Sequence, residues 1–108
     1  MAGSFAFTLD FAAGGEQDGP YFQAKAGQTV TISCPQVPPE QTGGSYRVIT
    51  AGLWLDSWGE NDYIGGGNLV TDGGSVEIGV QTEGQYWFTM TADPQVRLPV
   101  SFTVATNP

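Results

Sequence analysis

At 108 residues the chain has the size of a single domain and can bury one core but not two. Its sixteen glycines and seven prolines fall between short apolar runs, where they punctuate strands instead of signalling disorder. A formal charge of -8, with three cations and no histidine, sets the surface against nucleic acid and anionic membrane and removes every His-dependent catalytic dyad.

In chain order, Ser4 to Phe11 alternates with Phe5, Phe7, Leu9 and Phe11 on one face and Ala6, Thr8 and Asp10 on the other, which predicts a half-buried first strand. Gly14 to Pro20 reads as a loop, because its glycines and proline oppose both helix and strand. A strand from Tyr21 to Lys25 follows, Ala26-Gly27-Gln28 turns the chain, and Thr29 to Cys34 returns it with Val30, Ile32 and Cys34 inward. Pro35 to Gly44, with three prolines and two glycines, is a long surface loop, either functional or a crossover between two sheets. Ser45 to Thr50 and Gly52 to Asp56 form two strands, or one strand broken at Ala51-Gly52, with Leu53 and Leu55 on one face and Trp54 on the other. Ser57 to Gly67 is irregular and acidic, Asn68 to Thr71 is a short strand, Asp72-Gly73-Gly74 is a turn, and Ser75 to Val80 is a strand. Gln81 to Gly84 reads as a hairpin turn leading into Gln85 to Ala92. That strand and Val96 to Ala105 are expected to form one two-stranded ribbon turning at Asp93-Pro94.

No window carries the 3.6-residue period of an amphipathic helix. The count of eight or nine short strands, with turns every 8 to 12 residues or so, predicts an all-β fold: a single antiparallel β-sandwich over 1–108, jelly-roll-like. No apolar run reaches the roughly 20 residues of a membrane helix, and no basic segment with an apolar core opens the chain. Either Met1 is native and no signal peptide directs export, or a mature domain stands behind an added methionine. The lone Cys34 has no partner for an intrachain disulfide and is expected to be a buried structural thiol.

The segment Tyr21 to Ser33 with its Ala-Gly-Gln-Thr turn, then Leu53-Trp54-Leu55, Asp72-Gly73-Gly74 and Gly84-Gln85-Tyr86-Trp87-Phe88, resembles the bacterial pre-peptidase C-terminal domain over roughly Asp18 to Ala105. The resemblance implies a non-catalytic β-sandwich of the kind attached to secreted proteases, serving solubility, targeting or substrate attachment. The acidic pair that the family often carries before its apolar strand is replaced here by Val48 to Gly52.

Two constellations are candidate sites. Asp56, Glu60, Asn61 and Asp62, with Asp72 folding back across the glycines, offer the hard oxygen ligands that calcium takes, although their spacing is not that of an EF-hand. The ordinary reading is a solvated acidic loop whose Asp and Asn residues form turns. The second is aromatic: Trp54 and Trp87 face away from the core by alternation, and Trp58 lies in the acidic loop. Such a face reads as a subunit or partner interface, as a sugar-stacking platform, or as a surface covered by the Pro35 to Gly44 loop.

No catalytic residues emerge, and no cofactor is required, calcium being the one the acidic loop would take. The expected function is a non-catalytic interaction module, with protein partners or self-assembly ahead of carbohydrate. A structural assembly subunit such as a virion decoration protein is the first alternative, and a calcium-assisted carbohydrate-binding module the second. An extracellular or virion-surface location fits these readings better than the cytoplasm.

Overall fold

The computed structural model describes residues 3–12, 16–57 and 60–107. Among the described residues nine strands form two antiparallel sheets: β1 (Gly3–Asp10), β2 (Glu16–Asp18), β3 (Phe22–Ala24), β4 (Thr29–Ser33), β5 (Val48–Ser57), β6 (Glu60–Val70), β7 (Ser75–Gly79), β8 (Gly84–Ala92) and β9 (Pro99–Asn107). One sheet runs in the order β1-β9-β4-β7. The other runs β2-β8-β5-β6, with β3 on the same edge of β8 as β2. β2 and β3 thus act as one edge strand interrupted at Gly19-Pro20, where the proline has no amide to give to a ladder.

The pairs are nested. β5 pairs with β6, β4 with β7, β2 and β3 with β8, and β1 with β9 along its whole length. The chain is one long antiparallel hairpin rolled so that β9 also meets β4 and β8 also meets β5, which is the order of a jelly roll. The expected fold class is therefore the observed one.

The connections correct the local reading. β8 and β9 do not form a ribbon: β8 lies in one sheet and β9 in the other, so the Asp93-Pro94 turn passes between sheets. The turns at Ala26 to Gln28, at Asp72 to Gly74 and at Gln81 to Gly84 also join strands of different sheets, and among the described strands β5–β6 is the one direct hairpin. Alternation shows which side of a strand is apolar, but an arch between sheets and a hairpin within one bury that side equally well. The segment expected to be irregular, Ser57 to Gly67, is mostly the eleven-residue β6, and the two candidate strands before it are the single strand β5. Part of the Gly14 to Pro20 loop is β2, while its Gly14 and Gly15 lie outside the described residues.

Between the sheets lies one apolar core. β8 contributes Tyr86, Phe88 and Met90, β9 contributes Val100, Phe102 and Val104, and Val30, Ile32, Ile49 and Leu53 join them, all buried. Phe5 of β1 reaches Phe22 of β3 with ring centroids 5.5 Å apart, closing one side of the sandwich. The other side closes where Gly65 and Gly67 of β6 back onto Ile78 and Val76 of β7. A methyl group on either glycine would stand 3.3 or 3.1 Å from those side chains.

The Pro35 to Gly44 loop is a crossover with its own fastenings. Val37 is buried and Gln36 bridges to Asp72. Thr42 is also buried, its hydroxyl donating to the carbonyl of Ser45 at 2.6 Å. Arg47 Nε donates to the Thr42 carbonyl at 2.7 Å, and the Arg47 amide donates to Thr71 Oγ1 at 2.8 Å. These bonds tie the loop to the end of the sandwich where β5 begins and β6 ends.

At the opposite end the Tyr86 hydroxyl donates to the Thr82 carbonyl, pinning the arch before β8. Tyr86→Phe is expected to lower stability by roughly 0.5–1.5 kcal/mol in denaturant unfolding, the worth of one such bond. Cys34 is buried, and burial, with the Asp72 carboxylate second, pushes its thiol from the usual 9.0 up to about 11. The folded thiol holds its proton to higher pH than the unfolded one, so its contribution is complete below pH 9 and fades as pH rises towards 11. Unfolding midpoints measured across that window should fall in the wild type and fall less in Cys34→Ala. Part of the remaining slope belongs to Tyr86, whose phenol burial also holds up.

Candidate functional site

The site grows out of the outer face of the five-stranded sheet. Leu53 and Leu55 of β5 and Tyr86 and Phe88 of β8 turn into the core, so the pleat sends Trp54 and Trp87 outward. Register places the two side by side, Trp54 opposite Trp87, and their rings stack at 6.2 Å with 19° between planes. Tyr63 of β6 stands on the far side of Trp54, edge-on at 5.3 Å, and Tyr21, just before β3, stands beyond Trp87, edge-on at 5.4 Å. Four rings therefore form one row across the sheet, Tyr21, Trp87, Trp54, Tyr63, spanning roughly 14 Å at about 4.8 Å per strand. The tryptophans at the centre are half-buried, and the flanking tyrosines are each 58% exposed.

Alternation alone does not place Tyr63 in this row. From Leu69, which is buried, the odd positions of β6 point inward as far as Gly65, and Tyr63 would follow them. A bulge intervenes: Leu53 pairs with Gly65 but Trp54 pairs with Tyr63, leaving Ile64 as the extra residue, packed against the core. The one-residue shift turns Tyr63 to the outer face, as any register slip must.

Two outward glycines make room for the rings. A methyl group on Gly52 would stand 3.3 Å from Tyr63 Cε1 and 3.5 Å from Trp54 Nε1, while one on Gly66 would run first into the Ala51 carbonyl of the paired strand and then stand 2.6 Å from the Tyr63 hydroxyl. The rings of Trp54 and Tyr63 therefore lean over bare backbone. Trp54 is further held by its indole N–H, which donates to Thr89 Oγ1 at 3.1 Å. Around the row the same face presents Gln23, Gln85, Asp56 and Asn61 on one side, and Asp18, Glu16, Thr50, Asn68 and Thr91 on the other.

Of the residues singled out in the sequence, Trp54 and Trp87 are brought together, while Trp58 lies outside the described residues. The Pro35 to Gly44 loop does not cover them, being fastened at the other end of β5. Asp56 and Asn61 face each other across the β5–β6 hairpin, with Glu60 and Asp62 beside them, all exposed. Asp72 does not fold back to join them. It pairs with Gln36 beyond the opposite end of β6, roughly 30 Å along the strand. Among the described residues no three Cys, Asp or Glu side chains stand close enough to hold a metal ion. Tyr21 and Tyr63 were missed in the sequence, and the signal that could have found Tyr63 is the Gly65-Gly66-Gly67 run, which marks a bulge or a close approach within a strand.

Chemically the described residues of this face can stack and hydrogen-bond. Buried and held protonated at neutral pH, the Cys34 thiol donates to the Pro35 carbonyl at 3.3 Å.

No protein-family model matches the sequence, and no curated protein matches it. Among solved structures the chain is similar to PliG of Aeromonas hydrophila, a periplasmic lysozyme inhibitor of g-type lysozyme, at 14% identity and a TM-score of 0.56, over 98% of this chain and 84% of that one. At that identity the likeness is one of fold.

Gly52→Ala, whose added methyl meets only the side chains of Thr89, Tyr63 and Trp54, tests whether the rings need the bare backbone beneath them. It is expected to cost roughly 1–3 kcal/mol, the usual range for an overpacked site, and to shift tryptophan emission by displacing Tyr63 from Trp54. Gly79→Ala, where added carbon meets nothing within 4 Å, should leave the emission unchanged.

Proposed function

We propose that this chain is a non-catalytic protein-binding module that docks its partner on the outer face of the five-stranded sheet. The observation that carries the reading is the row Tyr21, Trp87, Trp54, Tyr63. Aromatic side chains held in line on a rigid sheet are a poor use of surface in a protein with nothing to bind, and tyrosine and tryptophan are the anchors on which protein interfaces concentrate their energy. The central pair is pre-positioned by stacking and by the Trp54–Thr89 bond, so little side-chain freedom remains to be lost on docking.

The fold of PliG, a lysozyme inhibitor, supports a role without chemistry. The accessory role implied by the resemblance to pre-peptidase C-terminal domains is work of the same kind, attachment without catalysis. A location outside the cytoplasm goes with both, and is part of the proposal.

The test is binding of the immobilised protein to a panel of purified lysozymes that includes the g-type, by surface plasmon resonance. At least one partner is expected to be retained, and Trp54→Ala and Tyr63→Ala should each weaken it by a factor of ten or more, as hot-spot truncations of about 2 kcal/mol do. A partner that binds both variants as tightly as the wild type would move the interface off this face.

A further inference from the structure

We infer that the partner surface docked on this face is cationic and delivers arginine side chains onto the aromatic row; the inference rests on the docking reading above and names its partner chemistry. Three observations converge. Strand register places three carboxylates on the outer face of the five-stranded sheet, Glu16 and Asp18 on β2 and Asp56 on β5, and no lysine or arginine among its described strand residues. Asp18 sits opposite Thr89, two residues along β8 from Trp87, and Asp56 lies two residues along β5 from Trp54 on the other side of the row. Each is therefore about 7 Å along its strand direction from the row, and the two straddle it diagonally, roughly 17 Å apart. Finally, the whole chain carries -8, and of its three cations Arg47 is turned inward to the Thr42 and Gly43 carbonyls.

These features select among occupants. An aromatic face is negative at its centre, so it attracts a guanidinium that lies flat on it, and a carboxylate one step further along the strand can take the guanidinium's N–H fork. Lysine offers a point charge that neither stacks nor forks. A neutral glycan would gain from stacking but nothing from the carboxylates' charge or from the protein's field, and a phosphate-bearing partner would be repelled by both. Two carboxylates 17 Å or so apart ask for two cations on one surface, which a basic protein face or an extended segment of about five residues provides.

The test is a titration followed by tryptophan emission, using penta-arginine amide, penta-lysine amide and a chito-oligosaccharide as probes at low and at 0.5 M salt. The arginine peptide is expected to quench emission and to bind at least threefold more tightly than the lysine peptide, with salt weakening it. Asp18→Asn combined with Asp56→Asn should weaken arginine binding about tenfold. Glu40→Gln combined with Glu77→Gln removes the same charge from exposed sites elsewhere and should leave it within twofold. Equal weakening by the two double variants means attraction to net charge alone and overturns the inference, as does quenching by the oligosaccharide without quenching by the arginine peptide. The two readings fail separately. A lysozyme lost in Trp54→Ala but bound unchanged by the Asp18→Asn, Asp56→Asn double variant, and indifferent to salt, keeps the docking face and removes its cationic partner. A partner indifferent to Trp54→Ala as well removes both.

Discussion

The apolar faces of β8 and β9, turned towards each other across the sandwich, are the constraint from which the remaining structure follows. Tyr86, Phe88 and Met90 on one strand and Val100, Phe102 and Val104 on the other all lie in the buried core, each strand second from the edge of its sheet. Neighbours in the same sheet pair a strand's edges but leave its face bare, so each apolar face needs the other sheet to cover it. The pleat then dictates the outside. Whatever alternates with Tyr86 and Phe88 faces solvent, and that residue is Trp87.

Much of this was legible. Strand existence, the inward sets of β1, β4, β7, β8 and β9, and the outward direction of Trp54 and Trp87 all follow from a period of two, because those strands carry one apolar side and one polar side. Pairing was not legible, since the turn at Asp93-Pro94 and the turn at Ala26 to Gln28 look like hairpins and are arches. The Ala-Gly-Gln-Thr segment is one of these arches, with Gly27 at φ 88° and its amide bonded to the Val80 carbonyl. β6 was the hardest element to see. Its Glu-Asn-Asp opening and three consecutive glycines are what a loop is made of, and only pairing against β5 on one side and packing on Val76 and Ile78 make it a strand.

The same residues that hid β6 build the site. Gly65 and Gly67 let β6 sit against β7, Gly66 leaves room for the Tyr63 hydroxyl, and the extra Ile64 rotates Tyr63 to the outside. A sequence obeying strand propensity throughout would have put side chains where the Trp54 and Tyr63 rings lie, and an unbulged strand would have buried the tyrosine or expelled a core residue. Local rules are broken here, beside the row of rings.

The nesting of the strand pairs also ranks them by the length of chain each must close. The β5–β6 turn closes the shortest loop; the pairs β4–β7, β2 and β3 with β8, and β1–β9 enclose progressively more chain, and each doubling of an open loop costs about 0.6 kcal/mol more in entropy. Once an inner pair has formed, the next has only its own short arms left to join, so zipping from the innermost pair outward is the entropically cheapest assembly order. The innermost pair is the hairpin holding three glycines and a bulge, features that weaken a strand left to itself. The pair that topology favours first is thus the one whose strands are weakest alone, and β5 gains its second partner where β8 runs along it, with Trp87 beside Trp54.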